Sequence, residues 1–105
     1  MPFEEFAKID IRVGRIIGAE RVPGTTRLVK LAIDIGGQTK QSIAGVGEQY
    51  KPEELKSKTV VVVTNLKQRK IFGLDSEVML LAALDGQQLS IIQPDKSVSA
   101  GCKVT

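Results

Sequence analysis

The chain contains no histidine and no tryptophan, and its only cysteine is Cys102. Histidine is the most common general base and metal ligand, so its absence excludes the usual acid–base pairs and any Cys/His zinc site. A single cysteine also excludes an internal disulfide, and the lack of disulfides is typical of proteins of the cytoplasm. We therefore expect a cytoplasmic protein that is not an enzyme and that holds no metal and no cofactor.

Long apolar runs and phosphate-binding loops are also missing. No segment approaches the roughly 20 apolar residues of a membrane-spanning helix, and the acidic start "MPFEEFAKID" is unlike a signal peptide. The stretch "GVGEQY" lacks the third glycine of a dinucleotide-binding loop. The carboxylate pairs Glu4–Glu5 and Glu53–Glu54 are adjacent in amphipathic contexts, which favours solvated helix faces over catalysis. These features argue against insertion in a membrane and against nucleotide binding or catalysis.

The composition that remains is that of one small globular unit. The chain has 105 residues, of which 42% are hydrophobic and 26% are charged, and we expect residues 1–105 to form a single domain. The net charge of +3 favours anionic partners only weakly, so the placement of the charges matters more than their sum.

Hydrophobic periodicity predicts an all-β fold. Alternating or β-branched segments indicate five main strands: these begin at Ile9, Val29, Thr39, Thr59 and Glu77. Gly14 and Gly18 predict a bulge or bend in the first strand. A helical turn in "FEEFAK" and a short helix within Tyr50–Lys58, started by Pro52, complete the pattern. We predict a five-stranded Greek-key barrel of the oligonucleotide/oligosaccharide-binding (OB) kind, with its short helix between strands three and four.

A basic cluster separates two of these strands. Within "TNLKQRKIFGLDSEVMLLAA", Lys67, Arg69 and Lys70 lie on a segment, Asn65–Ser76, that is expected to form a loop at the barrel rim. Clustered cations on an anchored loop can contact neighbouring phosphates, and arginine can do so through two parallel hydrogen bonds. Ordinary solvation of these side chains is the alternative, and the residue types alone leave both open.

Aromatic residues are scarce, with three Phe and one Tyr. Proteins that bind single strands usually stack bases on several aromatics, so this scarcity favours recognition of RNA shape. We expect Phe72 to pack the loop against the barrel rather than to stack a base, and we expect Met79 to be a packing residue.

Three segments carry a family resemblance: "KIDIRVGRI", "YKPEELKSKTVVVVTNLKQRKIFGLDSEVMLLAA" and "IIQPDKSVSAGCKV". They resemble the structure-specific tRNA-binding domain, which occurs appended to methionyl-tRNA synthetases, as a free-standing tRNA-binding protein and in the endothelial monocyte-activating polypeptide group. The resemblance implies an OB barrel, usually homodimeric when free-standing, that grips the tRNA elbow with little regard for sequence. It implies tRNA as the partner, and a role as the beta subunit of methionyl-tRNA synthetase.

The resemblance also implies a set of RNA-contacting residues. By position these are Asn65, Lys67, Arg69, Lys70, Ser76 and Met79, to which Arg12, Arg27 and Lys30 are added. Two departures from the family pattern are visible. The segment "VPGTTRL" lacks the usual histidine and aspartates, which puts the role of the first loop in doubt, and Gln68 replaces a proline.

Two further expectations concern assembly. Val60–Val63 is apolar throughout, and a small barrel covers only one face of a strand, so we predict a homodimer that covers the other face. The family also contains a chaperone-like dimer that shares "SEV" at Ser76–Val78, and binding of unfolded or exported polypeptide is therefore the alternative function.

Overall fold

The computed structural model describes all residues from 1 to 105. It contains two short helices and nine strands: α1 Phe3–Phe6, β1 Ile11–Arg21, β2 Val29–Asp34, β3 Thr39–Ala44, α2 Pro52–Leu55, β4 Thr59–Val63, β5 Arg69–Ile71, β6 Leu74–Ser76, β7 Met79–Leu80, β8 Ala82–Asp85 and β9 Gln88–Ile91. Each helix has four residues, and neither could cross a membrane.

Five antiparallel strands form the main sheet, in the order β3-β2-β1-β4-β7. The alternation in β2 sends Val29, Leu31 and Ile33 into the core, where each is fully buried. Ile16 from β1 and Leu55 from α2 join the same core cluster, so α2 closes part of the barrel. The predicted five-stranded, all-β OB barrel, with its N-terminal helical turn and its helix after strand three, is confirmed.

Strand β1 is long enough to pair with two neighbours because it bends. Residues 11–15 pair with β4, and residues 15–21 pair with β2. The register shifts between Ile16 and Gly18, as the glycines predicted. A Cβ at Gly14 would lie 2.5 Å from Ile33 Cγ2, so glycine is required where β1 crosses β2 closely.

The barrel closes between β3 and residues 75–77, where most of the hydrogen bonds involve a side chain. Glu77 N–H donates to the Gln41 carbonyl at 2.8 Å. In return, Glu77 Oε1 accepts a hydrogen bond from Gln41 N–H at 2.9 Å, and Ser76 Oγ accepts one from Ile43 N–H at 3.1 Å. Gln41 Nε2 also donates to the Asp75 carbonyl. We call this set of contacts the seam.

Two sequence-based expectations need correction. The segment from Asn65 to Ser76 is not a plain loop, because β5 and β6 pair within it as a hairpin. The single strand expected from Glu77 to Leu84 is interrupted at Leu81, where the chain changes partner from β4 to β9. The short helix expected within Tyr50–Lys58 is confirmed as α2, which begins at Pro52 and ends where Lys56 is extended and Ser57 has a φ of 78°.

The apolar strand β4 is covered on both faces by the chain itself. Val60 and Val62 lie in the core, and Val61 and Val63 on the opposite face are also buried. The burial of β4 therefore does not by itself require a second subunit.

Candidate nucleic-acid interface

The basic hairpin, residues 69–76, projects from the barrel beside β3. Strands β5 and β6 pair Arg69 with Ser76, Lys70 with Asp75 and Ile71 with Leu74. Paired residues share a face in an antiparallel ladder. Ile71 and Leu74 pack against the small cluster of Val22, Leu28 and Ile43, and this packing fixes the hairpin on the barrel.

A groove of about 460 Å³ lies between the basic hairpin, the end of β3 and β7. Its lining is mostly apolar and includes the core residues Ala44, Val46 and Val78. Lys67 and Arg69 stand on one side, and the exposed side chains of Leu66 and Met79 also line it. The groove therefore offers an apolar floor with two cations beside it.

A third cation approaches the groove from the loop before β2. A Cβ at Gly45, which lines the groove, would overlap the guanidinium of Arg27, so glycine is what allows Arg27 to lie there. Arg27, Lys67 and Arg69 are all exposed, and none of them has an ion-pair partner. Lys67 and Arg69 thus line the groove and Arg27 lies against its Gly45, while the carboxylate of Glu77, which also lines the groove, is hydrogen-bonded to Gln41 N–H.

Lys70 belongs to the same hairpin but points to its other face. Its Nζ lies 2.9 Å from Asp75 Oδ1, across the ladder. The hydrogen bond from this ammonium, together with its charge, holds the pKa of Asp75 below its usual value. Lys70 is therefore partly neutralised before any ligand arrives.

The two remaining predicted cations lie away from the groove lining and are paired. Lys30 Nζ lies 2.8 Å from Glu20 Oε1, its neighbour on β1. Arg12 lies 3.0 Å from Asp10 Oδ1 and also donates to the Gly101 carbonyl. The hydrogen bond from Arg12, followed by one from Thr64, lowers the pKa of Asp10.

Two predicted polar residues are engaged in holding the fold. Asn65 Nδ2 donates to the Lys8 carbonyl at 2.6 Å, and its Oδ1 accepts from Asp10 N–H at 2.9 Å. This pair of bonds joins the chain before β1 to the chain after β4. Ser76 lines the groove, but its hydroxyl accepts a hydrogen bond in the seam. Met79 lines the groove and is exposed, as an apolar contact would require.

The expectation that Phe72 packs the segment against the barrel is wrong. Phe72 is 62% exposed at the tip of the basic hairpin, because Ile71 and Leu74 make the packing contacts instead. Sequence reasoning also missed Glu77, whose carboxylate takes part in the seam. A two-residue turn ending in glycine, "FG" between short apolar flanks, is the signal that could have indicated a hairpin here.

The sequence matches the family described as "Putative tRNA binding domain" over residues 11–103. It is 44% identical over 102 residues to the methionine–tRNA ligase of Pyrococcus furiosus, covering 97% of this chain and 14% of that protein. The identity to the ligase of Methanothrix thermoacetophila is 46% over 104 residues, covering 99% of this chain and 15% of that protein. The chain thus spans about one-seventh of the length of these relatives.

Solved structures agree with this relationship along the whole chain. The MetRS related protein of Pyrococcus horikoshii superposes with a TM-score of 0.94 at 32% identity, covering 100% of this chain and 97% of that one. The chaperone CsaA of Bacillus anthracis superposes with a TM-score of 0.92 at 30% identity, covering 100% and 98%. With the sequence match, the barrel and the groove in agreement, the chain belongs to the family of putative tRNA-binding domains.

Proposed function

We propose that this chain binds tRNA in the groove and along the basic hairpin, as a binding module without chemistry of its own. One observation carries the proposal: Lys67 and Arg69 line an apolar groove, Arg27 lies against Gly45 of that lining, and none of the three has an ion-pair partner. The carboxylate in the lining, that of Glu77, accepts a hydrogen bond from Gln41 N–H instead. Unpaired cations attract an anionic ligand, and an apolar floor favours an unstacked base over a bare anion. The proposal treats residues 1–105 as one tRNA-binding domain.

Phosphates of the RNA backbone would supply the partners of these cations. Arg27 and Arg69 can each make a two-pronged contact with a phosphate, whereas Lys67 acts as a point charge. Contacts of this kind position a protein on RNA without reading its sequence. Selectivity for folded tRNA would then come from how the phosphates are spaced in the folded molecule.

The other predicted site residues have different roles in this proposal. Met79 would add an apolar contact in the groove, and Lys70 a weaker phosphate contact because Asp75 competes for it. Asn65 and Ser76 would act by holding the fold around the groove. Contacts from Arg12 and Lys30 stay predictions of the family resemblance, and each would have to leave a carboxylate to reach RNA.

The relatives suggest which protein would receive the bound tRNA. The curated relatives are methionine–tRNA ligases of which this chain matches a small part, so we propose that the module holds tRNA for a methionyl-tRNA synthetase. The similarity to a MetRS related protein supports this partner, and a free-standing subunit stays a prediction of the family resemblance. Pull-down of the synthetase by the tagged chain, with and without ribonuclease, would test this partner.

We also propose a homodimer, on the basis of the apolar residues that the fold leaves uncovered. Phe3, Ile17, Leu84, Ile92 and Val98 are all exposed large side chains. Two groups of unpaired cations on one dimer would raise the affinity for an extended RNA through effective concentration. Light scattering over a concentration series tests this: the mass of two chains would support the homodimer, and the mass of one chain at every concentration would contradict it.

Polypeptide binding is the second candidate, favoured by the similarity to a chaperone and by the apolar lining of the groove. A polypeptide client predicts that apolar substitutions in the groove matter more than charge removal. The unpaired cations favour RNA, because an apolar segment of polypeptide would leave them without partners.

Titration of the purified protein with unfractionated tRNA tests the proposal most directly. An RNA hairpin and a single strand would serve as competitors, at two salt concentrations. We expect salt-sensitive binding in which folded tRNA outcompetes both. Absence of binding at moderate salt, or equal competition by the single strand, would contradict recognition of tRNA shape.

A further inference from the structure

Phe72 occupies an unusual position for a large apolar residue. It is the first residue of the two-residue turn between β5 and β6, and it is 62% exposed at the tip of the basic hairpin. Phe3, near the N-terminus, is the one aromatic side chain that is more exposed. Tyr50, by contrast, is partly buried, and its hydroxyl accepts a hydrogen bond from Ile91 N–H.

The backbone at Phe72 is unfavourable for an aromatic residue. Phe72 has a φ of 54° and Gly73 a φ of 78°, which is the pattern of the hairpin turn that prefers Asn-Gly or Gly-Gly. Residues with a Cβ adopt positive φ at a conformational cost, and asparagine tolerates it better than phenylalanine. Local folding therefore does not explain why phenylalanine occupies this turn.

The turn that carries the ring is nevertheless held in place. Ile71 and Leu74 anchor the base of the turn on Val22, Leu28 and Ile43. The outer edge of the ring, at Cζ and Cε2, lies 3.5–3.7 Å from where a Cβ of Gly24 would be. The ring therefore lies beside the turn at Gly24 while most of its surface stays in solvent, so the hairpin presents an aromatic surface.

Cations lie on the same short element as this ring. Lys70 is two residues before Phe72, and Arg69 is three residues before it on the same strand. Aromatic rings next to backbone-binding cations are how proteins hold unpaired bases, because every base has a face on which a ring can stack. A ring that bound an apolar polypeptide would gain nothing from cations beside it.

We propose that Phe72 stacks on an unpaired base, or on the open face of a terminal base pair, in a folded RNA whose phosphates contact the neighbouring cations. This inference rests on the proposed function and adds to it a non-electrostatic contact outside the groove. Phe72 would contribute affinity without responding to salt, whereas Lys67 and Arg69 would contribute through phosphates.

Substitutions at Phe72 test the proposal by titration with unfractionated tRNA. Phe72→Ala should weaken binding by about 5- to 150-fold, the range for loss of one stacked base, and should leave the salt dependence unchanged. Phe72→Leu keeps apolar bulk without a ring, and it should weaken binding nearly as much. Phe6→Ala, at an exposed phenylalanine outside the groove and outside the residues proposed for the dimer, is the matched control and should bind as the unchanged protein does.

Two further variants separate stacking from a structural role. Phe72→Asn should raise the melting temperature, because asparagine suits the turn, while it weakens tRNA binding. Phe72→Trp should restore binding, and it adds the only tryptophan of the chain. Its fluorescence should then be lost on addition of tRNA, with the same midpoint as binding.

The outcomes distinguish this inference from the function on which it rests. Absence of tRNA binding by the unchanged protein would overturn both. Salt-dependent binding by the unchanged protein together with full affinity of Phe72→Ala or Phe72→Leu would overturn the stacking role alone. A melting temperature that falls in Phe72→Asn in step with affinity would show that the ring supports the hairpin rather than the RNA.

Discussion

Among the cations predicted for the site, those at the groove and those elsewhere on the barrel differ in what surrounds them, although the residue types are the same. At the groove, Lys67 and Arg69 have no ion-pair partner. Away from it, Arg12 lies beside Asp10, and Lys30 lies beside Glu20. A paired cation must lose its carboxylate before it can bind a phosphate, and an unpaired one need not. Among the cations predicted for the site, pairing with a carboxylate therefore separates Arg12 and Lys30 from those at the groove, and under the proposed function the unpaired ones bind RNA.

Removal of both groove cations should have the largest effect on binding. Hydrogen bonds to charged groups contribute about 1.5–3 kcal/mol each, so Lys67→Ala with Arg69→Ala should weaken tRNA binding on the order of 100-fold or more. The slope of log affinity against log salt concentration should fall by about two. Titration at several salt concentrations measures both quantities.

Arg12→Ala with Lys30→Ala is the matched control, since it removes the same number of charges. We expect a much smaller loss of affinity and little change in slope. An equal loss in the two double variants would show that net charge alone governs binding, and the comparison between the two surfaces would then fail.

Ser76→Ala should act on stability. The Ile43 N–H would lose its acceptor in the seam, and an unsatisfied amide costs about 1–3 kcal/mol in the free energy of unfolding. Thermal denaturation should show a melting temperature lower by about 4–8 °C per kcal/mol. Ser90→Ala, at an exposed position on β9, is the control. A normal melting temperature with weaker tRNA binding would instead make Ser76 an RNA contact.

Asp75→Asn should strengthen tRNA binding, because it frees Lys70 at the hairpin and removes a negative charge beside it. The expected gain is roughly 2- to 5-fold, the range for an exposed ion pair. Glu20→Gln frees Lys30 in the same way on another part of the barrel, and it should change affinity little. A similar gain in both variants would remove the distinction between the two regions.

The smallest expected effect concerns pH and the Asp10–Arg12 pair. Hydrogen bonds from Arg12 and Thr64 lower the pKa of Asp10 in the folded chain, so its ionised form favours folding above the unfolded-state pKa of about 3.9. That stabilisation is lost as the pH falls through the lower, folded-state pKa. Thermal denaturation should show Asp10→Asn less stable than the unchanged protein at neutral pH, with the difference disappearing in acid.

Local patterns in the sequence were enough to predict the barrel. The alternation from Val29 and the β-branched run from Thr59 gave strands that begin at the expected residues, and Pro52 began the helix between strands three and four. Burial on one or both faces depends on residues close together in the chain, so periodicity reports it directly. The change of partner at Leu81 was missed, because an apolar run does not show which neighbour each half will pair with.

The position of the candidate site was predictable from the sequence, but the ion pairs and hydrogen bonds of its individual residues were not. The basic run around Lys67 marked it in the sequence by composition alone. Which cations stay free depended on cross-strand register, as in the pairs Lys30–Glu20 and Lys70–Asp75.

The sequence by itself thus determined the fold class, the family and the segment that carries the basic residues, because each of these is recorded in local pattern. Only the tertiary structure decided which of those residues are available to a ligand. It joined Arg27 to the groove through Gly45 and placed Ser76 in the seam. It also left Phe72 exposed at the hairpin tip. Availability depends on contacts between residues far apart in the chain, and such contacts exist only after the barrel has closed.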